Sequence, residues 1–383
     1  MTISVTTHRT DPGPAEQRAT RIVFFIAGFG YAAWAPLVPF AKARAGISDG
    51  GLGLLLLCLG AGSIVMMPLA GALSARLGCR RVIAASALFV AASLPFLTIV
   101  SSAPLLVAAL LLFGAGVGTL DVSMNIQAII VERASGRSMM SGFHGLFSVG
   151  GIAGAGGMTA LLSFGISPFA STLCISVCIL AALATAQAHL LSYGSRNEGP
   201  AFAIPHGVVL FIGMLCFVLF LAEGAILDWS AVFLTSDLHM ETTYAGLGYA
   251  AFATTMTIGR LLGDRIVNRL GSRKIILAGG LFGAAGFAVA TLVTSPAVAI
   301  LGYALVGVGC SNIVPVLFTA VGRQTVMPEN VAVPAITTLG YVGILAGPAG
   351  IGFIAHASSL SVAFLVMALM LLGVSASGRF LRT

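Results

Sequence analysis

The chain has 383 residues, of which 58% are hydrophobic and only 8% charged, with a mean hydropathy of +1.05. A soluble domain carries roughly 25% charged residues because its surface must face water. So few charges exclude a water-facing surface of that kind, and lipid must cover most of the chain. The net charge of +7 does not point to nucleic acid, because the cations fall in short clusters between apolar stretches. That placement is the pattern of topology signals.

A spanning helix needs about 20 mostly apolar residues. In chain order the apolar stretches predict twelve helices. Six lie in the first half, over 21–43, 50–74, 82–101, 104–131, 141–163 and 168–190. Six lie in the second, over 206–235, 243–264, 275–294, 297–321, 331–355 and 358–378. The expected organisation is a tail over 1–20, a bundle over 21–190, a linker over 191–205 and a second bundle over 206–383.

Cytoplasmic termini would place all cations inside except Lys42 and Arg44, as the positive-inside rule requires. The expected setting is a bacterial inner membrane crossed many times. Residues 1–21 lack the apolar core and cleavage site of a signal peptide, so the first helix is expected to stay as an anchor. The six cysteines include no CxxC pair and read as small hydrophobes.

The chain repeats itself. Ala75-Arg-Leu-Gly-Cys-Arg80 recurs as Asn268-Arg-Leu-Gly-Ser-Arg273, a shift of 193 residues. Gly114-x-Gly116 recurs as Gly307-x-Gly309, and Gly150-x-x-x-Gly154 as Gly343-x-x-x-Gly347, in the same register. Three matches in one register predict two parallel six-helix repeats. Two similar bundles can rock about a site at their interface and open it to each side in turn.

Gly71-x-x-x-Ala75-Arg76-x-Gly78-x-Arg80-Arg81 resembles the loop signature of the major facilitator superfamily, G-x-x-x-D-R-x-G-R-R. The resemblance covers essentially the whole chain and implies an all-α fold of 12 transmembrane helices. Ala75 stands where that family has an Asp that latches the cytoplasmic side. The latch is therefore expected from the second half, with Asp264 beside an arginine. The expected cytoplasmic gate is Arg76, Arg80, Asp264, Arg265, Arg269 and Arg273. Within the superfamily, Gly118-Thr-Leu-Asp-Val-Ser-Met-Asn125 resembles the fourth helix of the fucose:proton symporter branch, with an acid where Asp121 stands. Phe143-His144 resembles the Phe-Asn pair of its fifth helix, while the acid of its first helix is missing from Tyr31-Ala-Ala-Trp-Ala35.

Ionisable groups inside a bilayer cost roughly 2.5–3.5 kcal/mol each on insertion scales, so they tend to face a cavity and act. Asp121, with Asn125 one turn on and Glu132 near the same angle, forms a polar stripe down the fourth helix. Asp121 and Glu223 are the expected proton-coupling residues. Asp228, beside Trp229, reads as an interface residue. Trp34, Asn125, His144 and Asn312 are the expected solute contacts; core packing explains Trp34 equally well, and interhelical bonding Asn312.

Neither a P-loop G-x-x-x-x-G-K-[ST] nor G-x-S-x-G nor HExxH is present, so no enzyme and no cofactor is expected. The function expected is secondary active transport of a small polar solute, sugar-like or related, coupled to protons and carried by a monomer. Export of drugs or metabolites by proton antiport is one alternative, and a non-transporting sensor another. The fourth helix lacks the arginine of the family's drug antiporters, and Ala155 replaces the proline of their fifth-helix motif.

Overall fold

A computed structural model describes residues 12–46, 49–195 and 203–380, with side chains from 57 onward in the second segment. Arg9, Arg196 and Arg382 of the expected charge pattern, and residues 196–202 of the expected linker, lie outside that set.

The first half holds α1 (Pro14–Ala32, continued past a break by Val38–Ala45), α2 (Asp49–Leu77), α3 (Cys79–Leu97), α4 (Ala103–Ser135), α5 (Met140–Ser163) and α6 (Pro168–Ala186). The second holds α7 (Gly207–Val232), α8 (Leu247–Leu270), α9 (Ser272–Leu292), α10 (Pro296–Cys310, resumed as Ile313–Arg323), α11 (Glu329–Ala357) and α12 (Leu360–Ser377). No strand occurs among the described residues. Eleven of these helices are long and apolar enough to cross a membrane; α8 falls short because it carries Arg260, Asp264, Arg265 and Arg269.

Proline opens α1 and α6 at the first position, where its missing N–H costs nothing. Left-handed Gly46 and Gly136 close α1 and α4, a conformation that a Cβ would penalise. Several helices run past their apolar cores. α1 starts at Pro14 rather than 21, α4 reaches Ser135 rather than 131, and α8 reaches Leu270 rather than 264. Charged residues that read as loop are the helix ends standing clear of the lipid.

The packing repeats with the sequence. In the first half α1 packs on α5, α2 on α4 and α3 on α6. In the second, α7 packs on α11, α8 on α10 and α9 on α12. The halves meet chiefly through two pairs that the repeat interchanges, α2 with α11 and α5 with α8. This is a fold of 12 transmembrane helices in two parallel six-helix repeats.

Both described ends lie on one face, which also carries most of the cations; we call it the basic face and its opposite the far face. Arg44, on the far face, is spent locally. Its guanidinium donates to the carbonyls of Leu97 and Val100, both at 2.7 Å, and so caps α3.

Candidate functional site

Asp121 lies eighteen residues into α4, about 27 Å from its far end at 1.5 Å per residue. Asn125, one turn on and 1% exposed, donates to the Asp121 carbonyl at 2.9 Å and to Oδ1 at 3.3 Å. Asp121 makes no ion pair among the described residues. It faces the second half, within electrostatic reach of the Tyr341 hydroxyl on α11. Of the expected stripe only this pair forms. Glu132 is a cap instead: its Oε2 accepts from the amides of Met139 and Met140, both at 2.7 Å, at the start of α5.

A second group surrounds Arg260. That residue lies thirteen residues into α8 and ten from its end, so at mid-depth rather than in a loop. It is 8% exposed. Its guanidinium donates to Ser148 Oγ on α5 at 3.0 Å and stands 3.8 Å from the Glu223 carboxylate on α7. It also donates to the Ser311 carbonyl at 3.4 Å. Local sequence supplies that acceptor. Pro315 stands four residues after Ser311 and has no N–H to offer, so the Ser311 carbonyl is freed where α10 breaks.

Asn312 sits in the same break. It donates to the Gly259 carbonyl on α8 at 3.0 Å, an interhelical bond, while its Oδ1 has no partner among the described residues. Gly263 has to be glycine here, because a Cβ would collide with the Asn312 amide oxygen. His144 packs between the rings of Phe24 and Phe318, at 5.3 and 5.5 Å, near Arg260, and its Nε2 has no partner among the described residues.

Tyr31 on α1 and Tyr249 on α8 stand within electrostatic reach of both Glu223 and Asp228. Tyr31 is 41% exposed, Tyr249 37% and the Glu223 side chain 30%. These groups come from both halves and lie close together. The surface they expose therefore belongs to a cleft between the halves rather than to the lipid-facing perimeter. The structure thus gathers Glu223, His144 and Asn312 around Arg260 and joins Asn125 to Asp121. The Trp34 side chain is buried, and among the described residues no hydrogen bond or ring contact ties that side chain to either group.

The basic face is closed between the halves. Glu132 Oε1 accepts from the Thr319 hydroxyl of α10 at 2.6 Å. Asp264 of α8 accepts from the Gly142 amide of α5 at 2.9 Å. Asn268 bonds the Ser138 amide at 3.1 Å and carbonyl at 3.2 Å. Arg133 pairs with Glu329 of α11 at 3.1 Å and bonds the Gly322 carbonyl. Asp264 therefore meets the positive end of a helix, with Arg21 of α1 also within electrostatic reach.

Of the other expected gate residues, Arg80 donates to the carbonyls of Leu190 and Ala188, at 2.8 and 2.7 Å, and so holds its own half's chain end. Arg76 joins Arg80 and Arg81 along a groove of about 670 Å³ against residues 192–195. Arg265, Arg269 and Arg273 are exposed and reach no partner among the described residues. Arg260, Glu132 and Thr319 were not among the expected site residues. One sequence signal pointed to the first: under the 193-residue shift Arg260 falls on Met67, so one repeat carries a cation where the other is apolar.

Comparison with known proteins places this arrangement. An uncharacterized MFS-type transporter of Yersinia pestis is 56% identical over 380 residues, covering 99% of both chains. Membrane protein MosC of Rhizobium meliloti is 32% identical, over 91% of this chain and 85% of its own. The crystal structure of an E. coli fucose:proton symporter, FucP, superposes with a TM-score of 0.77 at 16% identity, covering 96% of this chain and 98% of that one. The description of the Major Facilitator Superfamily matches residues 22–332 and again 212–382. With two matches that together run almost the length of the chain, and a relative of that family at 56% identity, the protein belongs to the major facilitator superfamily of membrane transporters.

Proposed function

We propose that this transporter carries a small polar solute, sugar-like or related, by alternating access, with the proton as coupling ion. The observation that carries the coupling is Asp121: a half-buried carboxylate at mid-depth, turned toward the other half, with no cation paired to it among the described residues. Such a group can take a proton and lose its charge as the halves close around it, which removes the cost of carrying a bare anion through the bilayer. Glu223 is the second acid, at the floor of the cleft beside Arg260.

The closed basic face and the cleft reached from the other side support alternating access between two similar bundles. We assign the basic face to the cytoplasm of a bacterial inner membrane, on its cations. The working unit is one chain, and no cofactor enters the cycle.

The test is reconstitution of the purified protein in liposomes with an imposed pH gradient. Solute accumulation driven by that gradient in the wild type, and its loss in Asp121→Asn with exchange of solute at equal pH retained, is the expected result. Equal loss of both activities would make Asp121 a structural residue. Extrusion of solute against the gradient would replace symport by antiport.

A further inference from the structure

Arg260 has more hydrogen-bonding capacity than its surroundings use. A guanidinium has five N–H donors in a planar fork. Two hydrogen bonds leave it, to Ser148 Oγ at 3.0 Å and to the Ser311 carbonyl at 3.4 Å. The Glu223 carboxylate, at 3.8 Å, neutralises the charge from beyond hydrogen-bond length and receives none of the remaining donors. The remaining donors are not sealed in the protein interior but reach the accessible surface, where a solute group can meet them. The free edge lies beside the 30%-exposed Glu223 side chain, at the floor of the cleft, with the hydroxyls of Tyr31 and Tyr249 nearby.

We infer that Arg260 is the binding residue for an anionic group on the carried solute, so that the solute is a small organic carboxylate, and that Glu223 is the internal carboxylate it displaces. A solute carboxylate can take two parallel N–H bonds from the fork, which Glu223 does not make. The exchange also balances charge. A proton placed on Glu223 removes one negative charge from beside Arg260, and the solute carboxylate restores it. A neutral solute would leave the guanidinium bare once Glu223 was protonated, at the cost of an unpaired buried charge. The groups facing this pair are Tyr31 of α1, Asp228 of α7, Tyr249 of α8, Cys310 of α10, Tyr341 of α11 and His144 of α5. No second arginine or lysine is among them.

This inference rests on the transport reading above and refines its solute. It is tested on the purified full-length protein by thermal stabilisation with matched probes: gluconate against glucitol, glucuronate against glucose, lactate against glycerol. The carboxylates are expected to stabilise and their neutral counterparts not to, with tighter binding at acidic than at alkaline pH. Glu223→Gln, which cannot compete as an anion, should tighten carboxylate binding about tenfold and flatten its pH dependence, a gain that misfolding cannot imitate. Arg260→Gln should weaken it by about thirtyfold or more.

Failure of every carboxylate to stabilise the wild type, or equal stabilisation of Arg260→Gln, overturns the inference. So does unchanged binding in Glu223→Gln. Proton-driven uptake of a neutral probe would sink the inference and leave the transport reading standing. Carboxylate binding that depends on Arg260, without flux in liposomes, would do the reverse.

Discussion

The Thr319 hydroxyl on α10 donates to Glu132 Oε1 at 2.6 Å, while the other oxygen of that carboxylate holds the first amides of α5. One side chain of the first half thus fixes a helix start in its own half and a contact in the other. A hydrogen bond to a charged acceptor contributes about 1.5–3 kcal/mol. Thr319→Val should therefore shift the balance toward opening of the basic face by roughly tenfold or more. Distances between spin labels placed at positions 138 and 325 read this directly. Distributions that match the wild type would show that the bond does not hold the face closed.

Asp121→Asn keeps an oxygen where Asn125 donates, so the local hydrogen bond survives. Thermal stability should change by less than about 1 kcal/mol, within the range of a near-isosteric change that breaks no contact. Uptake driven by pH should vanish, and the pH dependence of exchange should flatten. A stability loss well beyond that range would mark Asp121 as part of the packing.

Gly150 and Gly343, which match in sequence, also match in space, each set against a carbonyl of the facing helix (Phe25 of α1, Phe217 of α7), but Gly154 and Gly347 do not. A Cβ on Gly154 would collide with the Phe29 carbonyl of α1, because α5 and α1 pack backbone against backbone. At Gly347 the nearest atoms, on Gly224 of α7, are 3.7 Å away, an ordinary contact. Gly154→Ala should cost about 1–3 kcal/mol through overpacking, whereas Gly347→Ala should be tolerated. Melting of the two variants in one detergent compares them. Equal melting temperatures would contradict the packing described here.

Asn312→Ala removes the bond to the Gly259 carbonyl at a break in α10. Interhelical hydrogen bonds in membranes contribute about 0.6–2 kcal/mol, so stability should fall by that order. Solute affinity in the folded fraction should hold, since the amide is turned to α8. A drop in affinity without loss of stability would return Asn312 to the solute contacts.

The helices were legible because lipid leaves few choices: a backbone without water must bond to itself, and apolar runs long enough to span have one solution. The 193-residue repeat carried the pairing of the halves as well. What the sequence hid were distances across helices. Arg260 was counted among the cations of a basic loop because it precedes Asp264 and Arg265. Six more residues of helix beyond 264 move that loop outward and leave Arg260 at mid-depth. Asp264 was expected beside an arginine; Arg21 of α1 lies within electrostatic reach, and the start of α5 adds a backbone amide that no side-chain pattern announces. Glu132 lay on the right helix at the right angle, yet its role depends on where α10 passes, which only the assembled bundle decides.

The break at Ser311 and Asn312 gives α10 two arms. The outer arm ends where the Ser311 carbonyl meets Arg260, and the inner arm carries Thr319, which fastens the basic face. The Arg260 contact and the fastening of the basic face thus sit on either side of one joint in a single helix, a joint that the proline at 315 leaves without its backbone bond.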